Sequence, residues 1–401
     1  MTDAIQTNTE QDPFHDIRPY RDDEVPQVLF NILHDNEFID AITQYQFPRA
    51  SKWAGFFLRP VVKQILAAKI GDISSVKEFQ HLVESYMAKM INRTTTKLSC
   101  SGIEKLDHDD SYLFISNHRD IAMDPAFVNW MLYHNKMDTA RIAIGDNLLS
   151  KPYASDLMRL NKSFIVRRGV QGRERMPVLT QLSQYIDHSV TTGHSVWIAQ
   201  RSGRSKDGDD RTDPALLKML HMGQRKERSF AEQAKRLNIV PVTIAYELDP
   251  CDAAKATELA AKAEHGTYKK SEFEDIQSIV RGITGEKGRV HVSFGDVIVD
   301  DFETPEELAA EIDRQIHYNY RLHPTNLAAV DDDSADADAK QALEARVDQV
   351  SGLARDILRK MYAKPVTNQH AAAQRTRVID TDQAEAEQVI KATTTESKED
   401  V

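Results

Sequence analysis

One alternation constrains this chain more than any other feature. Short apolar, β-branched runs recur at Tyr112–Ser116, Arg141–Ile144, Ser163–Arg167, Ser195–Ala199, Ile239–Ala245 and Arg289–Phe294. Between them lie segments whose apolar residues have helical spacing, at Pro125–Tyr133, Met176–His188, Pro214–Leu220 and Lys226–Leu237. Parallel strands need long crossovers, and an amphipathic helix supplies one that also covers the sheet. The expected fold is α/β, a mixed, largely parallel sheet flanked by helices, over residues 95–322. A chain of 401 residues is long enough to bury such a core.

The flanks read differently. Residues 1–24 are polar and acidic and predict a disordered N-terminus. Residues 25–94 are helical in pattern. The acidic run Asp331-Asp332-Asp333 marks a linker over 323–340. Leu343, Val347, Val350, Ala354, Ile357 and Met361 share one face of an amphipathic helix expected at 341–362. Residues 363–401 predict a disordered tail.

Composition narrows the function. A formal net charge of -11 argues against a general nucleic-acid binder. Cys100 and Cys251 stand far apart, with neither disulfide nor metal spacing, which suits a reducing cytoplasm. No secretory signal opens the chain, and no run of about 18 apolar residues predicts a membrane span. Pro48–Ile70, by contrast, holds Arg49, Lys52, Arg59, Lys63 and Lys69, no acid, and Trp53, Phe56 and Phe57. Such a stretch either lies on an anionic membrane surface or packs on the main domain, with Pro60 splitting it into two helices.

The chemistry gathers at strand ends. Asn117-His118 follows the first run, where α/β sheets place their ligand sites. An imidazole titrates near neutrality and can take a hydroxyl proton if a carboxylate fixes its tautomer. Asp120 and Asp124 both qualify. Arg167 and Arg168 end another strand. Arg201, Ser202, Gly203, Arg204 and Ser205 follow a third, in a glycine-bearing loop. Guanidinium groups at two strand ends beside a histidine suggest a phosphate-bearing substrate next to a proton acceptor.

These motifs, in this order, resemble the glycerol-phosphate and 1-acylglycerol-3-phosphate acyltransferase superfamily. The matching segments are Asn117-His118 with Asp124, Phe164-Ile165-Val166-Arg167, Gly203-Arg204-Ser205 and Ile239-Val240-Pro241-Val242. The first is similar to a bacterial subgroup reading His-Arg-Asp-Ile-x-x-Asp. The likeness implies transfer of an acyl group from acyl-CoA or acyl carrier protein to a glycerol-phosphate-type lipid such as 1-acylglycerol-3-phosphate. His118 would be the base and Asp124 or Asp120 its partner. Asn117, Arg119, Arg167, Arg168 and residues 201–205 would bind substrate. No metal or cofactor is implied. The enzyme would work in phospholipid biosynthesis, peripherally on the inner face of the cytoplasmic membrane. There are two departures from the family pattern: five residues, not four, separate His118 from Asp124, and Ser202 stands where the family has glutamate. Two other readings stay open, an ester or phosphoester hydrolase and a non-catalytic lipid-binding protein with a degenerate site.

Overall fold

A computed structural model describes residues 12–47, 51–149, 151–271, 274–331 and 333–399. Its centre is a seven-stranded sheet in the order β1-β7-β6-β2-β5-β3-β4. The strands are β1 (Thr95–Ser101), β2 (Leu113–Ser116), β3 (Arg141–Gly145), β4 (Ser163–Val166), β5 (Val196–Ala199), β6 (Ile239–Tyr246) and β7 (Gly288–Phe294). From β6 to β4 all pairs are parallel. β7 runs antiparallel to β6 and carries β1 parallel to itself. The sheet is therefore mixed and largely parallel.

Period-two alternation sorts side chains onto two buried faces. Leu113 and Ile115 of β2 join Phe164, Tyr185, Ile186, Leu220 and Ile312 on one face. Phe114, between them, joins Phe127, Leu132, Trp197, Val240 and Val242 on the other. Each large apolar side chain fully buried this way contributes roughly 1.5–3 kcal/mol. The central strands are covered on both faces, which is why they read as unbroken apolar runs. β1 has no such run: it is a half-exposed edge strand of Thr, Lys and Ser, and the apolar pattern missed it.

The helices are α1 (Val25–His34), α2 (Asn36–Gln46), α3 (Ser51–Ile70), α4 (Val76–Thr94), α5 (Met123–His134), α6 (Pro152–Leu160), α7 (Arg175–Thr191), α8 (Pro214–Met222), α9 (Phe230–Arg236), α10 (Asp252–His265), α11 (Glu274–Thr284), α12 (Pro305–Tyr318), α13 (Pro324–Ala328), α14 (Ala337–Val347) and α15 (Leu353–Glu399). α9 starts later than its apolar pattern because Ser229 and Glu232 form a reciprocal capping box. α3 runs through Pro60 as one helix, not two. Pro48 and Arg49 lie outside the described residues.

Several flanking expectations need correction. Residues 12–24 are not disordered: Ile17 is buried, Phe14 packs on Tyr185, and the Ile17 carbonyl accepts from the Ile165 N–H on the edge of β4. Residues 1–11 lie outside the described residues. The linker expected at 323–340 begins with α13, anchored by buried His323, Thr325 and Asn326. The single helix expected at 341–362 is broken after Val347. Gly352 takes a positive φ of 57° there, and the chain turns into α15. Residues 363–377, the first part of the expected tail, continue α15, and Val366, Asn368 and Ala372 are buried.

Candidate active site

β2 ends between β6 and β5, and Asn117 fastens that end. Its amide donates to the Asp210 carboxylate (3.1 Å) and to the Ile244 carbonyl (3.1 Å), and its oxygen accepts from the Ile244 N–H (2.8 Å). The side chain is fully buried, so Asn117 holds the frame and does not reach a substrate.

His118 comes next. Its Nδ1 lies 2.9 Å from Asp124 Oδ2. That same oxygen accepts the backbone N–H groups of Arg119 (2.6 Å) and Asp120 (2.9 Å), while Oδ1 accepts from the Tyr246 hydroxyl (2.7 Å). Asp124 is thus gripped by four donors in the first turn of α5, where a helix N-terminus favours an anion. A carboxylate on Nδ1 fixes the tautomer with its proton there and leaves Nε2 able to accept. Nε2 has no protein partner among the described residues, and His118 lines a cavity. The Trp197 ring meets the imidazole edge-on, at 5.9 Å between centroids.

The extra residue in the motif is absorbed by a turn over 119–122 that carries Met123 into the core and Asp124 under the histidine. Asp120 takes a different role. Its Oδ1 caps α5 through the N–H groups of Ala122 (3.0 Å) and Met123 (2.9 Å), and its buried Oδ2 has no partner. Burial first, then the Asp124 charge, pushes its pKa up to about 6.

The cavity has a volume of about 620 Å³. Its walls are largely apolar, with Ile121, Trp130, Ile142, Ile144, Met158, Ile279 and Ile283 among them. Arg168, Arg201, Ser202, Gly203, Arg204 and Lys206 also line it. Gly203 sits at φ 81°, a left-handed turn that glycine adopts without strain. Arg204 donates from Nη2 to Ser278 Oγ (3.3 Å), while its buried Nη1 has no partner. Lys206 pairs with Glu258, and burial lowers its pKa.

Three other residues expected to bind substrate do not line the cavity. Arg167 is exposed and pairs with Asp16, because adjacent residues at a strand end face opposite ways and Arg168 takes the cavity side. Arg119 is buried against Asp210 (2.8 Å), donates to the Gly208 carbonyl (3.3 Å) and lies over the Tyr320 ring. Ser205 is buried, and its N–H donates to the His118 carbonyl (2.7 Å), so it sets the histidine backbone. Sequence reasoning missed Tyr246 and Trp197. Both stand on strands flanking β2, and register counting from Ser116 along β6 and β5 would have found them.

The site therefore combines a histidine held by a buried carboxylate with a largely apolar cavity that cations also line. Residues 97–245 match the family model described as Acyltransferase. Over those residues the chain is similar to acyltransferase domains. The chain is similar to a glycerol-3-phosphate acyltransferase of Shewanella amazonensis, 26% identical over 223 residues, which cover 54% of this chain and 26% of that protein. A namesake from Shewanella woodyi is 25% identical over 279 residues, or 68% of this chain and 32% of its own. The chain thus spans about a quarter to a third of the length of these relatives. The crystal structure of a 1-acyl-sn-glycerophosphate (LPA) acyltransferase from Thermotoga maritima aligns over 73% of this chain and 91% of its own, at 14% identity and a TM-score of 0.34. That likeness is too low to add to the argument.

Proposed function

We propose that this chain transfers a fatty acyl group from acyl-CoA or acyl carrier protein to a glycerol-phosphate-type lipid acceptor such as 1-acylglycerol-3-phosphate, in phospholipid biosynthesis. One observation carries the reading: His118, oriented by Asp124, faces an apolar cavity lined by Arg168, Arg201 and Arg204. His118 Nε2 takes the proton of the acceptor hydroxyl as its oxygen bonds to the thioester carbonyl carbon. The tetrahedral oxyanion is stabilised by backbone N–H groups near Gly203. The C–S bond then breaks, and the thiolate leaves with the proton held by His118. The arginines hold the acceptor phosphate and the apolar wall holds the acyl chain. General-base assistance of this kind is worth roughly 10²–10⁴-fold in rate.

A hydrolase needs a nucleophile beside His118. The adjacent candidate, Ser116, is fully buried, and its hydroxyl donates to the Asn117 carbonyl (2.7 Å). Incubating the pure protein with labelled acyl thioester and either glycerol 3-phosphate or its 1-acyl derivative tests the proposal. Acylated acceptor supports it. Free fatty acid alone points to the hydrolase, and neither product points to a binding protein.

The acceptor is a lipid, so the enzyme works at the inner face of the cytoplasmic membrane, bound peripherally. No helix among the described residues is long and apolar enough to cross a membrane. α3 supports the surface reading: Phe56 and Phe57 are 78% and 75% exposed, and Val61 and Ile65 are exposed beside them. Arg59 is held by Asp40 on α2. Changing Lys52, Arg59 and Lys63 together to Glu is expected to weaken co-sedimentation with anionic liposomes. Unchanged co-sedimentation would remove α3 from the membrane surface.

A further inference from the structure

α11 lies beyond residues 97–245, and its two faces have opposite characters. Ile276, Val280 and Ile283 stand at i, i+4 and i+7, one continuous stripe, exposed by 52%, 52% and 40%. A surface helix of a soluble domain normally turns such a stripe inward. Here the fully buried positions are the small residues Ser278 and Gly282, with half-buried Ile279 beside them. Ser278 receives Arg204, and Gly282 sits so close to Asp120 that a Cβ there would lie 2.1 Å from Asp120 Oδ2. α11 therefore lies against two of the side chains that carry an unpartnered buried polar atom, Arg204 (Nη1) and Asp120 (Oδ2).

The exposed stripe is also continuous with the cavity. Ile279 and Ile283 line it from α11, so one helix carries apolar surface from the solvent side to the wall near His118. Lys269 and Lys270 are exposed ahead of α11, Lys270 paired with Asp275, and Arg281 is exposed on the helix itself. An exposed apolar stripe with cations close by matches an anionic bilayer, whose headgroups meet the cations while the side chains enter the acyl layer.

We infer that α11 is a membrane-contact helix whose Ile276–Val280–Ile283 stripe inserts into an anionic bilayer and forms the route by which the lipid acceptor passes between the bilayer and the cavity. The inference rests on the proposed acyl transfer for its substrate, but not for its surface. A soluble partner would not need the stripe to continue into the catalytic cavity; a lipid crossing from one apolar phase to another does.

Two measurements on the full chain test it. In the first, Val280→Cys, with Cys100 changed to serine, carries an environment-sensitive fluorophore. Mixing it with phosphatidylcholine vesicles containing phosphatidylglycerol should shift its emission to the blue, more at low salt than at high. In the second, Ile276→Gln with Val280→Gln, both on the exposed face, should lose turnover of a long-chain acceptor embedded in those vesicles. Turnover of a short-chain, water-soluble acceptor should be kept. No blue shift, or equal turnover of the embedded acceptor by variant and parent, overturns the inference. If no acceptor of either kind is turned over by the parent, the proposed function fails, and the fluorophore alone decides whether α11 meets the membrane.

Discussion

The end of β2 and the loop after β5 face one cavity and are built in opposite ways. At the end of β2 the groups that hold His118 are satisfied, although Asp120 Oδ2 and Asp210 Oδ1 close by have no partner. Asn117 is tied on both sides, the Arg119 guanidinium is paired, and Asp124 accepts four hydrogen bonds. In the β5 loop several polar groups are not. Both polar side-chain atoms of buried Gln200 and one guanidinium nitrogen of Arg204 lack partners, and Arg201 is exposed. A buried donor without an acceptor costs about 1–3 kcal/mol. The contrast teaches a division of labour. Under the proposed function, the groups that orient His118 are set before substrate arrives, while the arginine loop would be completed by the acceptor phosphate.

The sharpest way to break this comparison is at His118. His118→Ala should lower turnover by roughly 10²–10⁴-fold, with the melting temperature little changed, as read by calorimetry beside the acyl-transfer assay. A folded variant with near-full activity would end the division proposed here.

Asp124 and Asp120 come next, because they test whether finished hydrogen bonding is what matters. Asp124→Asn removes the carboxylate from the histidine and should cost on the order of 10²–10⁴-fold in turnover. Asp120→Asn should leave turnover nearly intact, since an amide oxygen can still cap α5. Its effect should appear in stability. Asp120 has its folded pKa raised to about 6 against an ordinary 3.8. The folded protein therefore binds the proton more tightly than the unfolded chain, and stability falls as pH rises from near 4 through 6. Asp120→Asn should therefore melt higher than the parent at pH 7 and match it near pH 4. Equal melting curves at both pH values would show that the buried carboxylate is not strained.

At the other half, Arg204→Ala should raise the acceptor KM by about 10–100-fold, the worth of a charge-assisted contact, and leave the donor KM nearly unchanged. A larger rise in the donor constant would reverse which substrate the loop holds. The smallest effect belongs to Arg167→Ala. Its exposed pair with Asp16 is worth at most about 1 kcal/mol, and the acceptor KM should not move.

These contrasts also mark how far the sequence could be read. The doubly covered strands were legible because burial on both faces leaves contiguous apolar runs, as in Leu113-Phe114-Ile115. Edge strand β1 was not, since an exposed edge tolerates Thr and Lys. His118 with a nearby carboxylate was legible from spacing, but the choice of Asp124 over Asp120 depended on the shape of the 119–122 turn, which spacing does not encode. Arg167 and Arg168 were equivalent as letters; the phase of β4 chose between them. The Arg119–Asp210 pair and the Tyr246 contact join residues far apart in the chain, and only the closed sheet brings them together.

The β5 loop is fastened from an unexpected direction. Asp210 offers its carbonyl to His317 on α12 (2.6 Å), and the Thr212 N–H donates to Asp313 (2.7 Å). Asn368 on α15 donates to Asp209 (3.1 Å), and Gly208 has no room for a Cβ because the Met361 carbonyl stands against it. A chain made from its N-terminus has His118 and the β5 loop long before it has α15. On the ribosome, then, the histidine is in place while the loop beside it still lacks its last fastenings. A chain stopped short of α15 would carry His118 without the contacts that α15 makes to Gly208 and Asp209.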